Sequence, residues 1–350
     1  MRQDDDQPAA GVTSATLVAA GVGTLAIVWL SVLRAILVPR QDPPRVARWT
    51  ARWVAVALIA VGRRLPLRPR ERLMTLCGPF GQLLMLLSWF AGLGLGFALL
   101  AGGAGMPWSS LGRFFTLELP DVHVIGLLFW MSVAVLFGLF LVYLIVVANA
   151  YTRREQLAAS LPGQAAQLPD AERMLASYIR SDSRDQLDSL FADWTRWLSD
   201  IRCTHVSYPA LMYYRPTTGM CWLHATMIVL DTAALVEAIA PSWAMPYTRA
   251  LLDTGIRCLE RLARDLGIVL KPAVVSLHGR EQLGFVDTIA VATSGGLPAE
   301  RSPQEAWRVF QDLRTRYAPY AATMATSMLY QTVVRIDSSP SSAVGGGAPV

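Results

Sequence analysis

The sequence predicts an all-α protein in which integral membrane helices carry a re-entrant, pore-like segment and lead into a helical cytoplasmic domain. Composition is the first observation behind this fold class. Of 350 residues, 53% are hydrophobic and 16% charged, with a mean hydropathy of +0.37. A soluble domain carries roughly a quarter charged residues. The second is that three apolar runs, Ala15–Val38, Leu73–Leu100 and Val124–Val147, reach the roughly 17–25 residues that a membrane-crossing helix needs. The third is the interruption between the second and third runs. Gly102–Ala104, Pro107, Trp108, Ser109, Ser110, Gly112 and Arg113 break the apolar pattern there. Non-helical backbone at membrane depth persists only where it lines a cavity or is buried in protein. An ordinary outer loop between two spans is the plainer alternative.

In chain order, residues 1–14 form a tail and 15–38 the first span. Residues 39–72 form a basic loop. Within it Trp53–Gly62 is apolar but only ten residues long and flanked by arginines, which suits a helix lying in the membrane interface. Residues 73–101 form the second span, 102–122 the re-entrant segment and 123–150 the third span. A cytoplasmic helical domain occupies 151–337. A tail at 338–350, rich in serine, proline and glycine, reads as disordered.

Charge sets the expected orientation. Residues 39–72 hold nine arginines against Asp42 and Glu71, a net of +7, whereas residues 151–350 hold nineteen basic and nineteen acidic groups. The overall excess of +5 therefore sits in one loop between spans, where positive charge stays cytoplasmic. That distribution argues against a nucleic-acid partner. The N-terminal tail with Asp4, Asp5 and Asp6 is then outside, and Arg153 and Arg154 mark the inner end of the third span. The first apolar run is longer than a signal-peptide core and has an acidic lead-in, so no cleaved signal is expected.

The segment Thr116-Leu117-Glu118-Leu119-Pro120-Asp121 invites comparison with the T-V-G-Y-G-D selectivity filter. Thr116 and Asp121 stand at the matching ends, a pore-helix-like stretch Trp108–Phe115 precedes them, and a lining helix follows. Here the chain resembles the two-transmembrane pore module of the potassium channel family. Over roughly residues 15–270 it also looks like a group of actinobacterial ion-channel-like membrane proteins. In those an extra first helix and a basic loop precede the pore. Thr204-His205-Val206-Ser207-Tyr208-Pro209, Tyr213-Tyr214-Arg215 and Val229–Val236 are similar to that group's recurring sequences. The resemblance implies a homotetrameric pore for monovalent cations, seated in the lipids of the cell membrane.

Both filter glycines are replaced, by Glu118 and Pro120. Glycine permits the backbone angles of a carbonyl cage, while proline fixes its own torsion and restricts the residue before it. A potassium cage is therefore not expected. Four copies of Glu118 would instead form a carboxylate ring, which admits cations without a backbone filter; alternatively Glu118 simply faces outer water. Gly138, midway along the third span, is a candidate gating hinge or a packing glycine. Gly92 and Gly96 form a small-xxx-small pair suited to close helix approach.

In the cytoplasmic domain, Asp170 and Ser183 are placed to start helices. Leu187, Leu190, Phe191, Trp194, Trp197, Leu198 and Ile201 form one apolar stripe. Gly219–Ile239 is long enough to span, yet contains His224, Asp231 and Glu237, and carboxylates at mid-bilayer are costly. A buried core helix is the preferred reading. Pro246–Leu266, Gly284–Thr293 and Pro303–Val334, the last broken near Pro319, complete the set. Cys203, His205, Cys221 and His224 are zinc-ligand types, but their spacing and apolar setting fit buried core residues better. No metal, no cofactor and no disulfide framework is expected. Asp193, Asp200, Asp231 and Glu237 form no catalytic pair, so no enzyme activity is expected. The competing function is a non-conducting membrane anchor or signalling protein that keeps the pore-module architecture. A lipid-acting enzyme is a weaker third class.

Overall fold

A computed structural model describes residues 6–36, 45–107, 124–161, 170–216, 220–268 and 280–330. Every regular element among them is helical. The chain divides into two units: residues 1–155 with 203–215, and residues 156–202 with 216–350.

In the first unit α1 (Asp6–Ile36) lies antiparallel to α4 (Cys77–Gly103). The reason is a line of glycines. A Cβ at Gly96 would stand 2.7 Å from Leu25 Cδ2, one at Gly92 2.6 Å from Val28 Cγ2, and one at Gly21 2.9 Å from the Gly96 carbonyl. Only hydrogen fits at these points, so the two backbones approach closely and gain dispersion contacts along their length. Trp89 Nε1 donates to Ser31 Oγ at 3.1 Å, and Ser14 Oγ donates to the Gly103 carbonyl. The small-xxx-small reading of Gly92 and Gly96 is thus realised between these two helices.

The basic loop folds as α2 (Arg45–Gly62) and α3 (Leu67–Thr75). The helix around Trp53–Gly62 starts eight residues earlier than its apolar run. Ala47, Ala51 and Ala55 are buried, spaced at i, i+4 and i+8, and the Ala51 Cα lies 3.4 Å from where a Cβ of Gly81 would stand on α4. The opposite side exposes Trp49, Trp53 and Val56.

The helix α5 (Val124–Ser160) does not stop at residue 150. Thr152–Ser160 is rich in Arg, Glu, Gln, Leu and Ala, all good helix formers apart from its ends, so nothing breaks it there. Large side chains mediate its contact with α4: Phe129 meets Phe97 edge-on at 5.7 Å and Phe90 at 6.2 Å. Val22, Ile27 and Leu30 of α1, Leu87 and Leu95 of α4, and Met131, Phe137, Leu141 and Ile145 of α5 point away from this core. So much contiguous apolar surface is tolerable only against lipid or another chain.

In the second unit the element order is α6 (Ala171–Arg180), α7 (Arg184–Ser207, whose end belongs to the first unit), α8 (Trp222–Ile239), α9 (Pro246–Asp265), α10 (Arg280–Ser294), α11 (Pro303–Thr315) and α12 (Ala318–Ser327). The central element is α8, packed by α6, α9, α11 and α12. Among the described residues four helical stretches, namely Thr13–Ile36, Leu67–Gly103, Val124–Ser160 and Trp222–Ile239, are long and apolar enough to cross a membrane. The last differs physically: 83% of its apolar window is buried by its neighbours, against 28% or less in the others. Its apolar surface is therefore taken up by protein, as expected of a core helix. Asp170 occupies the N-cap of α6, but its side chain makes no capping bond. Ser183 Oγ donates to the Ser181 carbonyl instead of capping α7. Of the stripe, Leu187, Phe191, Trp194, Trp197, Leu198 and Ile201 are buried, and Leu190 at its edge is half-buried. The break expected near Pro319 falls between Thr315 and Ala318.

Candidate functional site

The residues that the sequence singles out as pore-forming, Thr116, Leu117, Glu118, Leu119, Pro120 and Asp121, lie outside the described residues, as does most of the re-entrant stretch. Its approach is described. Gly105 adopts φ +86°, its N–H bonds the Gly102 carbonyl at 3.1 Å, and the Met106 N–H bonds the Ala101 carbonyl at 3.0 Å. This paired pattern is a Schellman stop, in which a left-handed residue closes the last turn. Pro107 follows and disfavours helical backbone at its predecessor. The end of α4 is thus specified locally, by Gly105 and Pro107.

Gly138 lies within α5, which stays helical on both sides of it. A Cβ added there would meet nothing within 4 Å. Inside a single chain Gly138 therefore holds no helix close, unlike Gly92 or Gly96.

A polar cluster of the first unit lies where the end of α5 meets residues 203–215. These residues, expected within the cytoplasmic helical domain, cluster with the first unit. The cause is Arg154. Its guanidinium is 1% exposed, and it donates through Nη1 to the Leu211 carbonyl at 2.8 Å and through Nη2 to the Tyr214 carbonyl at 3.0 Å. Nε donates to Glu155 Oε1 at 3.0 Å, and the charged group stacks 5.0 Å from the Tyr151 ring centre. A buried charge is tolerated only when paired and hydrogen-bonded. Arg154 meets that condition with a fixed planar fork that lysine lacks. It therefore acts here as a structural clasp rather than a solvated orientation signal; Arg153 beside it is exposed.

His205 completes the clasp. It is buried, with Nε2 3.5 Å from Arg154 Nη1 and Nδ1 3.3 Å from Thr204 Oγ1. Guanidinium has no lone pair to offer, so Nε2 is the acceptor and the ring proton belongs on Nδ1, facing Thr204. The chain then turns through a 3₁₀ helix, Pro209–Tyr213, and Tyr214 settles on α4. Its ring covers Gly78, where a Cβ would come within 2.4 Å, and its hydroxyl donates to Gln82 Oε1 at 3.0 Å. Gly78 and Gln82 are one turn apart, so one face of α4 receives the whole residue. Burial, reinforced by the neighbouring Tyr151, pushes the Tyr214 hydroxyl up to about 12, keeping it a neutral donor. Tyr151 in turn donates to the Arg215 carbonyl at 2.8 Å, and Arg215 Nε lies 3.8 Å from Glu71 Oε2.

The carboxylates weighed for chemistry have structural partners in the second unit. Asp231 Oδ1 accepts from the buried Tyr317 hydroxyl at 2.6 Å and from Arg314 Nε at 3.2 Å. Glu237 takes a forked bond from Arg249, and Asp193 pairs with Arg196. Among the described residues no group of three or more His, Cys, Asp or Glu is placed to hold a metal ion. Cys203 and His205 belong to the first unit, Cys221 and His224 to the second. Sequence reasoning missed Arg154, Tyr151, Gln82 and Glu71. Only Tyr213-Tyr214-Arg215 and His205 carried a signal, through their place in recurring sequences. No protein-family model, no curated protein and no solved structure matches the chain.

Proposed function

We propose that the chain is a channel-like subunit of the cell membrane that assembles as a homotetramer and passes monovalent cations through a degenerate potassium-channel-type filter. The observation that carries the reading is the succession α4, glycine stop at Gly105, polar segment, α5. Two long apolar helices bracket a stretch with Thr116 and Asp121 at filter-like positions. The open side of Gly138 supports it further, since a position where an added Cβ meets nothing among the described residues leaves room for a second copy or for bending. In this reading the N-terminus is outside and residues after 151 are cytoplasmic, because the +7 charge of residues 39–72 remains inside. Each chain supplies one pore segment, so four are needed to close a pore.

Reconstitution into liposomes tests it. Four carboxylates near one axis repel one another and persist mainly where cations or water occupy the ring. Glu118→Gln is expected to lower cation flux and weaken block by divalent ions, with the tetramer intact. Potassium and sodium should be passed with little discrimination. Strong potassium preference would refute the carboxylate ring.

A second reading is favoured by Glu118 and Pro120 themselves, which occupy both filter glycine positions. It makes the protein a non-conducting membrane anchor or signalling protein built on the same module. A folded tetramer that carries no current in any lipid would establish this reading over the first.

A further inference from the structure

We propose that α2 and α3 form a docking surface for anionic phospholipid headgroups. This rests on the membrane location alone and not on conduction. Arg48 and Arg52 on α2, Arg63 and Arg64 after it, and Arg68 and Arg72 on α3 are all exposed. Among the described residues none of the six meets a carboxylate within ion-pair distance. The one acidic residue of the stretch, Glu71, faces Arg215. The surface therefore carries positive charge that no carboxylate among the described residues pairs with.

The apolar side of the same helix selects the kind of partner. Trp49 and Trp53 are 63% and 55% exposed, their rings meeting edge-on at 5.6 Å, and Val56 continues the stripe one turn on. Ala47, Ala51 and Ala55 seat the helix on its own protein, so this second apolar stripe is surplus to folding. Arginine forks match phosphate oxygens two at a time. Indole rings prefer the boundary between headgroups and acyl chains. A lipid offers phosphate charge and hydrocarbon in one molecule, the two chemistries that exposed arginines beside a Trp/Val stripe present. A nucleic acid or acidic peptide supplies only the charge. Basic clusters of this size beside a membrane span draw anionic over zwitterionic lipid.

The test uses the full chain in nanodiscs of about three parts phosphatidylcholine to one part phosphatidylglycerol, followed by native mass spectrometry of the lipids that stay bound. The wild type is expected to retain phosphatidylglycerol several-fold above its bulk share. Replacing Arg48, Arg52, Arg63, Arg64, Arg68 and Arg72 together by Gln should return the ratio to the bulk value. Arg257→Gln with Arg308→Gln and Arg316→Gln, exposed in the second unit, should leave it enriched. A wild type at the bulk ratio, or undiminished enrichment in the six-site variant, would overturn the proposal. Should that variant fail to fold, quenching in the wild type decides. The fluorescence lost in Trp49→Phe/Trp53→Phe should be quenched more by brominated phosphatidylglycerol than by brominated phosphatidylcholine. Equal quenching would overturn it. Neither readout involves current, so this surface and the pore stand or fall separately.

Discussion

Arg154 donates to the carbonyl of Leu211 across 2.8 Å and 57 positions of chain, and both partners are buried. A helix end and a distant 3₁₀ turn are thereby fixed to each other by one guanidinium. The same group takes the Tyr214 carbonyl and the Glu155 carboxylate. Removing it takes a hydrogen bond at once from the buried Leu211 carbonyl, the half-buried Tyr214 carbonyl and the buried Glu155 carboxylate.

Arg154→Lys is therefore expected to behave as a severe substitution. An ammonium is a point charge and cannot reach both carbonyls and Glu155 with the geometry of the fork. A loss of about 2–4 kcal/mol follows from breaking buried, charge-assisted bonds of this kind. Thermal unfolding of the purified chain in detergent should show it as a lowered midpoint, with residues 203–215 the first to be cut by protease. An unchanged midpoint would mean that water reaches the site.

Tyr214 offers a test of the seat on α4. Gly78→Ala places a Cβ within 2.4 Å of a ring that its hydroxyl bond to Gln82 holds in position, so ring or helix must move. Tyr214→Phe removes only the bond, at a cost of about 1 kcal/mol, and Gly78→Ala should destabilise more. The hydroxyl also gives a pH signature. Its folded value is raised from 10.0 to about 12, so the neutral form is the one the fold prefers. The stabilisation is complete below the ordinary tyrosine range and is lost as pH climbs from about 10 to about 12. Ultraviolet titration should show one late-ionising tyrosine fewer in Tyr214→Phe.

In the second unit Glu172 is raised above its ordinary value, first by burial and then by the charges of Asp170 and Asp231. An acid raised on folding is penalised when ionised. The penalty is absent below the unfolded value of 4.5 and fully present above the raised one. Glu172→Gln should accordingly raise the unfolding midpoint at pH 7, and the gain should fade on acidification toward 4.5. A gain that does not change with pH would point to packing instead of charge.

Those effects separate what the sequence makes legible from what it hides. Apolar length revealed the spans, and the glycine spacing at 92 and 96 revealed a contact face, because both are properties of one helix. The burial of Trp222–Ile239 was readable from Asp231 and Glu237, whose charges demand partners such as Arg314, Tyr317 and Arg249. The clasp was not readable. Its acceptors are the backbone carbonyls of Leu211 and Tyr214, which every residue type possesses, so no side-chain pattern announces them. Arg154 itself looked like a cytoplasmic flank charge for the same reason: next to a span, a solvated and a buried arginine are spelled alike. The end of α5 is hidden in the sequence because hydropathy falls at Tyr151 while helix propensity does not.

Two glycines should part company under substitution. At Gly96 a Cβ meets Leu25 at 2.7 and 2.8 Å, and the Gly21 carbonyl at 3.4 Å. Gly96→Val adds two further methyls to a gap already filled and should force α1 away from α4. Overpacking of this kind costs about 1–3 kcal/mol, visible as a lowered midpoint and as loss of a disulfide engineered between the two helices. At Gly138 a Cβ meets nothing, and alanine is about 1 kcal/mol better than glycine inside a helix. Gly138→Ala should leave the midpoint unchanged or raised for the isolated chain. If α5 lines a pore and bends or packs against a neighbouring copy at this point, the same substitution alters flux or tetramer yield while stability holds. If flux, tetramer yield and stability are all indifferent to it, Gly138 faces lipid, and the lining role of α5 goes with it.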